Sequence, residues 1–389
     1  MKPAPPPHQL TYLKQHDLPA WGEWPHRICS PGRVNLIGEH IDYTGGLVLP
    51  AAIDFSLYFL ARPLREPVWK LHAVDLGESA TVDLPLTGRT DKLWVDYLVG
   101  VGTQYQDQGH FLPGLEIVFG GDLPRGAGMS SSAALEGGMA FLLNNLLNAG
   151  LSRPELAALC QRSSNTFLGI PTGIMDQFAS LNGNAGGPIV LNCRTLTSEP
   201  VKSSIQQYTW LLVNSKVHHD LSDGAYGERV EECRRALETI QARYPRVSHL
   251  SGITPDQLAS VISDMDPVAA RRATYVLEEN TRVRRAVNAL EAGSARELGG
   301  LLNASHAGLR DGYEVTCEET DFLQEQAAER DDVAGARQMG GGFGGCTINL
   351  VRDSALKILQ SDLTNAYQAE YGITPEFYPV HITAGTRFI

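Results

Sequence analysis

A ten-residue segment near the N-terminus, residues 33–42, has an unusual density of polar side chains. Its polar members are Arg33, Asn35, Glu39, His40 and Asp42, and its other positions are apolar or glycine. A buried strand does not tolerate so many charges unless they are paired or functional. Carboxylates beside a histidine and a tyrosine are good acceptors for the hydroxyl groups of a polyol, and nearby glycines allow a ligand to approach the backbone. We interpret the segment as a candidate hydroxyl-binding site; the alternative is a surface strand and turn held by salt bridges.

A second candidate is a loop rich in glycine and serine, between a predicted strand at 115–119 and a predicted helix at 131–147. It contains Gly126, Gly128, Ser130, Ser131 and Ser132. The N-terminus of a helix presents unpaired N–H groups and the positive end of the helix dipole, so it favours an anion such as phosphate. The serines add hydroxyl donors or a ligand for Mg²⁺. The P-loop pattern GxxxxGK[ST] is absent, and the alternative is an ordinary helix cap by Ser130 or Ser131.

Two further segments are marked by glycine. The run Gly340–Gly345 matches GxGxxG, but residues 346–351 after it predict a strand. The dinucleotide-binding fingerprint requires a helix there, so we reject that function and expect a tight loop close to a ligand or another backbone segment. Asp176 lies in the second segment, residues 169–177. A lone aspartate in such a segment is typically a helix cap or turn former, so the local pattern alone does not assign it to catalysis.

The composition excludes several classes of protein. The 389 residues are 43% hydrophobic and 20% charged, and the net charge is −12, from 32 Lys and Arg against 44 Asp and Glu. This is the composition of a globular protein, and a negative chain does not suit nucleic acid or an anionic membrane. No apolar run reaches the roughly 18 residues of a membrane span. The six cysteines show no CxxC spacing, which favours free thiols in a reducing cytoplasm over a zinc site or a disulfide framework.

Two short segments carry weaker signals. Residues 1–7 have no apolar core, so we expect no secretory signal, and their prolines predict an extended arm. His218, His219 and Asp220 are a possible metal cluster. Three adjacent side chains point in different directions, so a solvated loop is favoured there.

The elements that must position these residues are mixed strands and helices without regular βαβ alternation, which predicts an α+β fold. Strands are predicted at 47–49, 53–60, 115–119, 189–192, 209–214, 346–351 and 378–383. Helices are predicted at 131–147, 153–167, 226–243, 256–264, 266–291, 295–304, 318–329 and 353–371. The composition changes near 195–210 from glycine-rich to charge-rich, so we expect an N-terminal lobe at 1–200 and a C-terminal lobe at 201–389.

Taken together, the motifs resemble the galactokinase branch of the GHMP kinases. They are PGRVNLIGEHIDY, LPRGAGMSSSAAL, GIMDQ and GGGFGGC, and they occur in the family's order over essentially the whole chain. The resemblance implies two lobes with mixed sheets and helices and an active site in the cleft between them. It also implies ATP, Mg²⁺ and phosphorylation of the anomeric hydroxyl of galactose, by a cytoplasmic monomer whose partner is a small-molecule sugar.

The resemblance also implies residue roles. Asp176 would be the base or orienting group for the anomeric hydroxyl, with Arg33 as its partner. The sugar would be held by Glu39, His40, Asp42, Gly173 and Tyr226. The loop Gly126–Ser132 would surround the triphosphate, Trp94 and Tyr97 would line the adenine pocket, and the loop 340–345 would border the site. A motif serine, Ser131 or Ser132, would bind the Mg²⁺.

The sequence departs from the family pattern at positions that keep alternatives open. Ile41 stands where galactokinases usually have threonine and is similar to the N-acetylgalactosamine kinase branch, so another galactose-like acceptor is an alternative. Ser164 stands twelve residues before Asp176, where most members have a glutamate associated with Mg²⁺; we expect a weak Mg²⁺ requirement unless a neighbouring acid takes over. A non-catalytic sugar sensor is a third possibility, but the intact run Ser130–Ala134 favours an active enzyme.

Overall fold

The computed structural model of the chain describes residues 6–218 and 222–389. No helix in those two ranges is long and apolar enough to cross a membrane. The strands are β1 (His26–Asn35), β2 (Leu47–Val48), β3 (Pro50–Pro63), β4 (Val68–Ala73), β5 (Glu78–Asp83), β6 (Leu115–Gly121), β7 (Ile189–Asn192), β8 (Thr197–Pro200), β9 (Tyr208–His218), β10 (Val333–Met339), β11 (Gly344–Arg352), β12 (Glu376–Val380) and β13 (Arg387–Phe388).

The α-helices alternate irregularly with these strands, and most of them follow residue 220. They are α1 (Pro7–Gln15), α2 (Leu93–Asp107), α3 (Ser131–Leu146), α4 (Arg153–Arg162), α5 (Met175–Asn182), α6 (Ser222–Arg243), α7 (Pro255–Val261), α8 (Pro267–Ala292), α9 (Ala295–Ala307), α10 (Glu318–Ala328) and α11 (Leu356–Tyr371). Two π-helical turns follow α4 and α9, at Ser163–Leu168 and Gly308–Tyr313.

The first sheet carries the polar segment near the N-terminus. Its six strands have the order β13-β1-β3-β6-β4-β5, and they are antiparallel except for the parallel pair β4 and β6. The long antiparallel pair of β1 and β3 has a register shift between Pro31 and Arg33. Helices α3 and α5 pack on β1 and β3, so β1 is buried from its third residue to its end. This burial fixes where its last polar residues emerge.

The second sheet carries the run of glycines. Its order is β10-β11-β9-β12, and a small third sheet has the order β2-β7-β8. Helices α9 and α10 pack on β10, and residues of β9, α10 and α11, among them Leu211, Leu323 and Leu359, form a core of their own. The α+β class predicted from the sequence is confirmed.

Most predicted elements are found near their predicted bounds, with two differences in type. The helix predicted at 153–167 is α-helical only to Arg162 and continues as the π-helical turn. The helix predicted at 256–264 ends at Val261 and continues as a 3₁₀ turn. Eight elements were not predicted from the sequence: β1, β4, β5, β8, β13, α1, α2 and α5. Residues 1–5 of the predicted arm lie outside the described residues, and Pro7 already opens α1.

The division into lobes at residue 200 remains a prediction, but the chain does not stay with the second sheet to its end. Strand β13 pairs with β1, with Ile28 opposite Phe388. Ile53 forms an isolated bridge with Ile382. The C-terminal residues therefore return to the first sheet and close its edge beside β1.

Candidate active site

One cavity brings together all the residues predicted for catalysis and sugar binding. Its volume is about 210 Å³. Its walls are the end of β1 and the loop after it, the segment from the first π-helical turn into the first turn of α5, the start of α6 and the glycine loop before β11. The lining residues are Arg33, Glu39, His40, Asp42, Ile170, Pro171, Thr172, Gly173, Met175, Asp176, Tyr226, Gly340 and Gly341.

Arg33 and Asp176 form a two-pronged ion pair at the wall of this cavity. Arg33 Nε and Nη2 donate to the two carboxylate oxygens of Asp176, each at 2.6 Å. The third nitrogen, Nη1, donates to the carbonyl oxygen of Gly128 at 2.5 Å, and the Ser130 hydroxyl donates to Asp176 Oδ2. Asp176 lies in the first turn of α5, where the helix dipole favours a negative charge. The planar guanidinium therefore ties the carboxylate to the glycine–serine loop in one fixed geometry.

Asp42 is a carboxylate of a different kind, since its hydrogen-bond donors come from the backbone. The Met175 N–H donates to its Oδ2 at 3.4 Å. Burial, together with the nearby charge of Asp176, raises the pKa of Asp42 to about 6. A Cβ atom on Gly173 would lie 1.6 Å from Asp42 Oδ2. Glycine is therefore required at 173 for this carboxylate to rest against the backbone.

Glu39 is fixed by a buried arginine from the second sheet. Arg337 Nη1 and Nη2 both lie 3.2 Å from Glu39 Oε1, and the Gly340 N–H donates to the same oxygen at 2.9 Å. Arg337 is fully buried and was not singled out from the sequence. The need of a buried carboxylate for a cation indicates that a partner exists, but not that it stands 298 positions away in the chain.

His40 is held by both ring nitrogens. Nε2 lies 3.1 Å from the carbonyl oxygen of Gly341, and Nδ1 lies 3.0 Å from the Tyr43 hydroxyl. A carbonyl oxygen only accepts, so Nε2 carries the proton and Nδ1 accepts from Tyr43. Burial lowers the pKa of His40 to about 4, so the ring is neutral. The ring of Tyr226 lies 5.5 Å from that of His40, and both rings line the cavity.

The glycine–serine loop has the geometry expected of an anion site. Gly126, Gly128 and Ser130 have φ values of 73°, 68° and 55°, which turn the loop sharply before α3. The first bond within the helix runs from the Ala134 N–H to the Ser130 carbonyl, so the three N–H groups before it point out of the helix start. The Ser130 side chain makes no cap bond, since it donates to Asp176. The capping alternative is therefore wrong for Ser130.

Trp94 and Tyr97 stand on the first turns of α2, outside the cavity. Trp94 Nε1 donates to Glu78 Oε2 at 3.0 Å, and its ring lies 5.7 Å from that of Phe119. Tyr97 shares a hydrogen bond with the Ser132 side chain. Tyr97 is thus placed beside the start of α3, whereas Trp94 lies against β5 and β6. An adenine pocket at these residues stays a prediction.

The predicted metal ligands are the hydroxyls of Ser131 and Ser132, at the start of α3. In the part of the chain that is described, no group of three or more His, Cys, Asp and Glu side chains is arranged to hold a metal. Hydroxyl oxygens next to an anion site suit Mg²⁺, a hard cation that keeps several waters and is bound largely by phosphate oxygens. The residues present therefore fit a cation that arrives with a nucleotide. Of the weaker candidate cluster, His219 and Asp220 lie outside the described residues.

The glycine run forms the hairpin between β10 and β11. Met339 pairs with Cys346 across it, and Gly340, Gly342, Phe343, Gly344 and Gly345 all have positive φ. A strand follows the run, which confirms that it is not a dinucleotide-binding fingerprint. Its Gly340 N–H and Gly341 carbonyl hold Glu39 and His40, so the loop both borders the cavity and orients its polar groups.

Comparison with known proteins agrees with this geometry. The chain matches the GHMP kinases N terminal domain at residues 96–184, the galactokinase galactose-binding signature at 20–63 and the GHMP kinases C terminal domain at 286–369. A galactokinase of Roseiflexus sp. (strain RS-1) is 37% identical over 376 residues, which cover 96% of this chain and 95% of the relative. A galactokinase of Clostridium beijerinckii is 37% identical over 365 residues, with 92% and 94% covered.

Solved structures give the same result. The Lactococcus lactis galactokinase, solved in complex with galactose, superposes with a TM-score of 0.91 at 33% identity and 98% coverage of both chains. A mevalonate kinase, at 18% identity and a TM-score of 0.66 over 92% of this chain and 98% of its own, shares the fold. The chain therefore belongs to the galactokinase family of the GHMP kinases.

Proposed function

We propose that this chain transfers the terminal phosphoryl group of ATP to the anomeric hydroxyl of galactose, giving galactose 1-phosphate and ADP. The observation that carries the proposal is the setting of Asp176. Its carboxylate is fixed by Arg33 and Ser130 at the border between the polar cavity and the loop before α3. A sugar hydroxyl bound in the cavity and a phosphate bound at the start of α3 would therefore both lie next to this carboxylate.

Phosphoryl transfer asks mainly for positioning and charge neutralisation. Asp176 orients the attacking hydroxyl and accepts its proton as the new O–P bond forms and the bond to the leaving diphosphate breaks. A carboxylate is a weak base, so the proton moves late. Arg33 and the N–H groups at the start of α3 stabilise the charge that develops on the transferring group. When bound, Mg²⁺ neutralises phosphate oxygens, and Ser131 or Ser132 would hold it.

The acceptor is bound by polar groups that the fold fixes beforehand. Glu39, Asp42 and the rings of His40 and Tyr226 line a cavity whose volume suits one sugar. A site built to hydrogen-bond a hydroxyl discriminates by about 10⁴ against an analogue that leaves its polar groups unpaired. Ile41, the basis for the N-acetylgalactosamine alternative, is fully buried and is not among the residues that line the cavity. Galactose is therefore the favoured acceptor.

A coupled assay of ADP release tests the proposal. Galactose, N-acetylgalactosamine and glucose are offered in turn with ATP and Mg²⁺, and a reaction without sugar measures background hydrolysis. We expect the highest kcat/KM with galactose and very little turnover of glucose. A higher kcat/KM with N-acetylgalactosamine would favour the related sugar kinase. Binding of galactose and ATP without ADP release would favour a sensor.

The remaining features of the proposal concern the whole chain. We infer a cytoplasmic monomer of two lobes, divided near residue 200. All six cysteines are free, and four of them are buried, which suits a reducing compartment. Light scattering on the purified protein tests the monomer, since a dimer would double the measured mass.

A further inference from the structure

A fully buried carboxylate, Glu136, lies on α3 outside the cavity. Its Oε1 accepts a hydrogen bond from the Ser164 hydroxyl at 2.7 Å, and its Oε2 accepts a longer one from the Gln177 amide at 3.4 Å. Both donors are neutral, and no arginine or lysine of the described ranges pairs with Glu136. Burial raises the pKa of Glu136 to about 8. The protein thus holds a buried carboxyl group without a counter-charge beside it, which is costly unless a cation arrives.

Glu136 lies one helical turn after Ser132, a predicted cation ligand. Residues four apart share a face of the helix, and their side chains lean toward its N-terminus. Both side chains therefore point toward the start of α3. Tyr97 lies close to both residues. Its hydroxyl shares a hydrogen bond with the Ser132 side chain, and its pKa is raised by burial and by the nearby charge of Glu136. Asp176 is also close enough to raise the pKa of Glu136.

The polar cluster around Glu136 is incomplete. Gln177 is 97% buried, from a relative exposure of 3%, and its Oε1 has no hydrogen-bond partner. Buried polar atoms are nearly always paired. The unpaired oxygen of Gln177, next to a buried carboxyl group, is a ligand suited to a hard cation and its waters.

We propose that Glu136 supplies the carboxylate charge that holds the divalent cation bound with the nucleotide, as a residue additional to the motif serines. The inference rests on the proposed function, because the cation comes with ATP. It also assigns a role to Ser164: this short side chain leaves room for the carboxylate of Glu136 and orients it. The carboxylate ligand of the cation thus comes from α3 rather than from the π-helical turn after α4. With this ligand present, the Mg²⁺ requirement of the enzyme is not weak.

Binding of Mn²⁺ to the complex with a non-hydrolysable ATP analogue tests this without turnover. Electron paramagnetic resonance gives the Kd of Mn²⁺ for the wild type and for Glu136→Gln. The amide replaces a carboxyl group that is neutral in the metal-free protein, and Gln177 can rotate its amide to match it. We therefore expect unchanged thermal unfolding without metal and about tenfold weaker Mn²⁺ binding. A change smaller than threefold would overturn the proposal.

Two further variants sharpen the result. Glu116→Gln removes a buried carboxylate that pairs with Arg62 on the first sheet, and it should leave the Mn²⁺ affinity unchanged. The double variant Glu136→Gln with Ser164→Glu moves the acid across the 2.7 Å contact between the two side chains. We expect it to recover at least threefold of the lost affinity. If Glu116→Gln lost as much Mn²⁺ affinity as Glu136→Gln, or if the double variant recovered none, the effect of Glu136→Gln would be structural only. Either result would overturn the proposal.

Galactose binding separates this inference from the proposed function. Calorimetry on the same proteins should give one galactose Kd for the wild type and Glu136→Gln. A wild type that binds neither galactose nor the metal–nucleotide complex contradicts the proposed function itself. A wild type that binds both, with Glu136→Gln indistinguishable from it, contradicts only the role of Glu136. If Glu136→Gln does not fold, Glu136→Asp replaces it in the test. Aspartate keeps the charge but is one methylene shorter, so it should weaken Mn²⁺ binding by at least threefold. A smaller change overturns the proposal.

Discussion

At the scale of single residues, three carboxylates around one cavity are held in two ways. Asp176 is paired with Arg33, Glu39 is paired with Arg337, and Asp42 receives backbone donors and is shifted toward the neutral form. Carboxylates placed in different environments take different roles. In the proposed reaction Asp176, which also contacts Ser130 of the glycine–serine loop, accepts the proton, whereas Glu39 and Asp42 hold hydroxyl groups.

Replacement of Asp176 by asparagine should remove most of the turnover. The amide keeps the shape of the side chain but cannot take a proton, and loss of a general base typically lowers the rate by about 10²–10⁴. We expect kcat to fall within this range while the galactose Kd, measured by calorimetry, stays within a few-fold. Asp311→Asn, at an exposed carboxylate paired with Arg310, is the matched control. Near-normal kcat in a folded Asp176→Asn protein would contradict the role of Asp176.

The raised pKa of Asp42 predicts a pH dependence of sugar affinity. When Asp42 is ionised, both of its carboxylate oxygens can accept hydrogen bonds from the hydroxyl groups of the sugar. The protonated form loses part of this acceptor capacity. With a pKa of about 6, galactose affinity should increase as pH rises from 5 to 7. His40, with a pKa of about 4, is neutral throughout. Asp42→Asn should bind weakly at every pH, and a wild-type Kd that is flat across this range would contradict the assignment.

The sequence predicted much of the site, because polar residues at high density in an apolar stretch have few structural explanations. Arg33, Glu39, His40 and Asp42 all reach the cavity. The residues that hold them in place were not predicted. Arg337 meets Glu39 only after two sheets have packed together, and periodicity along the chain carries no information on that contact.

At the scale of secondary-structure elements, the missed elements are those that depend on tertiary packing. Strand β1 contains Pro31, Gly32 and Asn35, which are rare in strands, and it forms because β3 and β13 pair with its two edges. Helix α2 contains glycine and several valines, which are weak helix formers. A Cβ atom on its Gly102 would lie 2.3 Å from the Trp69 ring, so close packing explains that glycine.

Gly173→Ala should impair sugar binding through Asp42. The added Cβ would lie 1.6 Å from Asp42 Oδ2, so the carboxylate or the segment before α5 must move. We expect the KM for galactose to rise at least tenfold in the ADP-release assay. Gly300→Ala, in α9 with nothing within 4 Å of the new atom, should leave KM unchanged. If both variants behave like the wild type, the contact between Gly173 and Asp42 is not needed for binding.

At the scale of the whole molecule, the loop between β1 and β2, residues 36–46, which carries the predicted sugar ligands and is called the sugar loop below, is held by the second sheet and by α8. Arg337 donates to the backbone oxygens of Asn35 and Leu36 as well as to Glu39. Glu279 of α8 accepts from the Gly38 N–H at 2.9 Å. The candidate site is therefore built between distant parts of the chain, and its geometry depends on how the two main sheets meet.

Removal of Arg337 tests this dependence. Arg337→Met leaves Glu39 buried without its cation and three backbone oxygens without this donor, and breaking a buried ion pair costs roughly 3–5 kcal/mol. We expect the free energy of unfolding in urea to fall by about that amount, and galactose affinity to fall because Glu39 is no longer fixed. Arg337→Lys restores the charge but not the planar fork, so it should recover part of the stability and less of the affinity. Arg234→Met, at an exposed arginine on α6 that pairs with Glu231 and Glu238, should change neither measurement. Wild-type stability in Arg337→Met would mean that the sugar loop keeps its conformation without the second sheet.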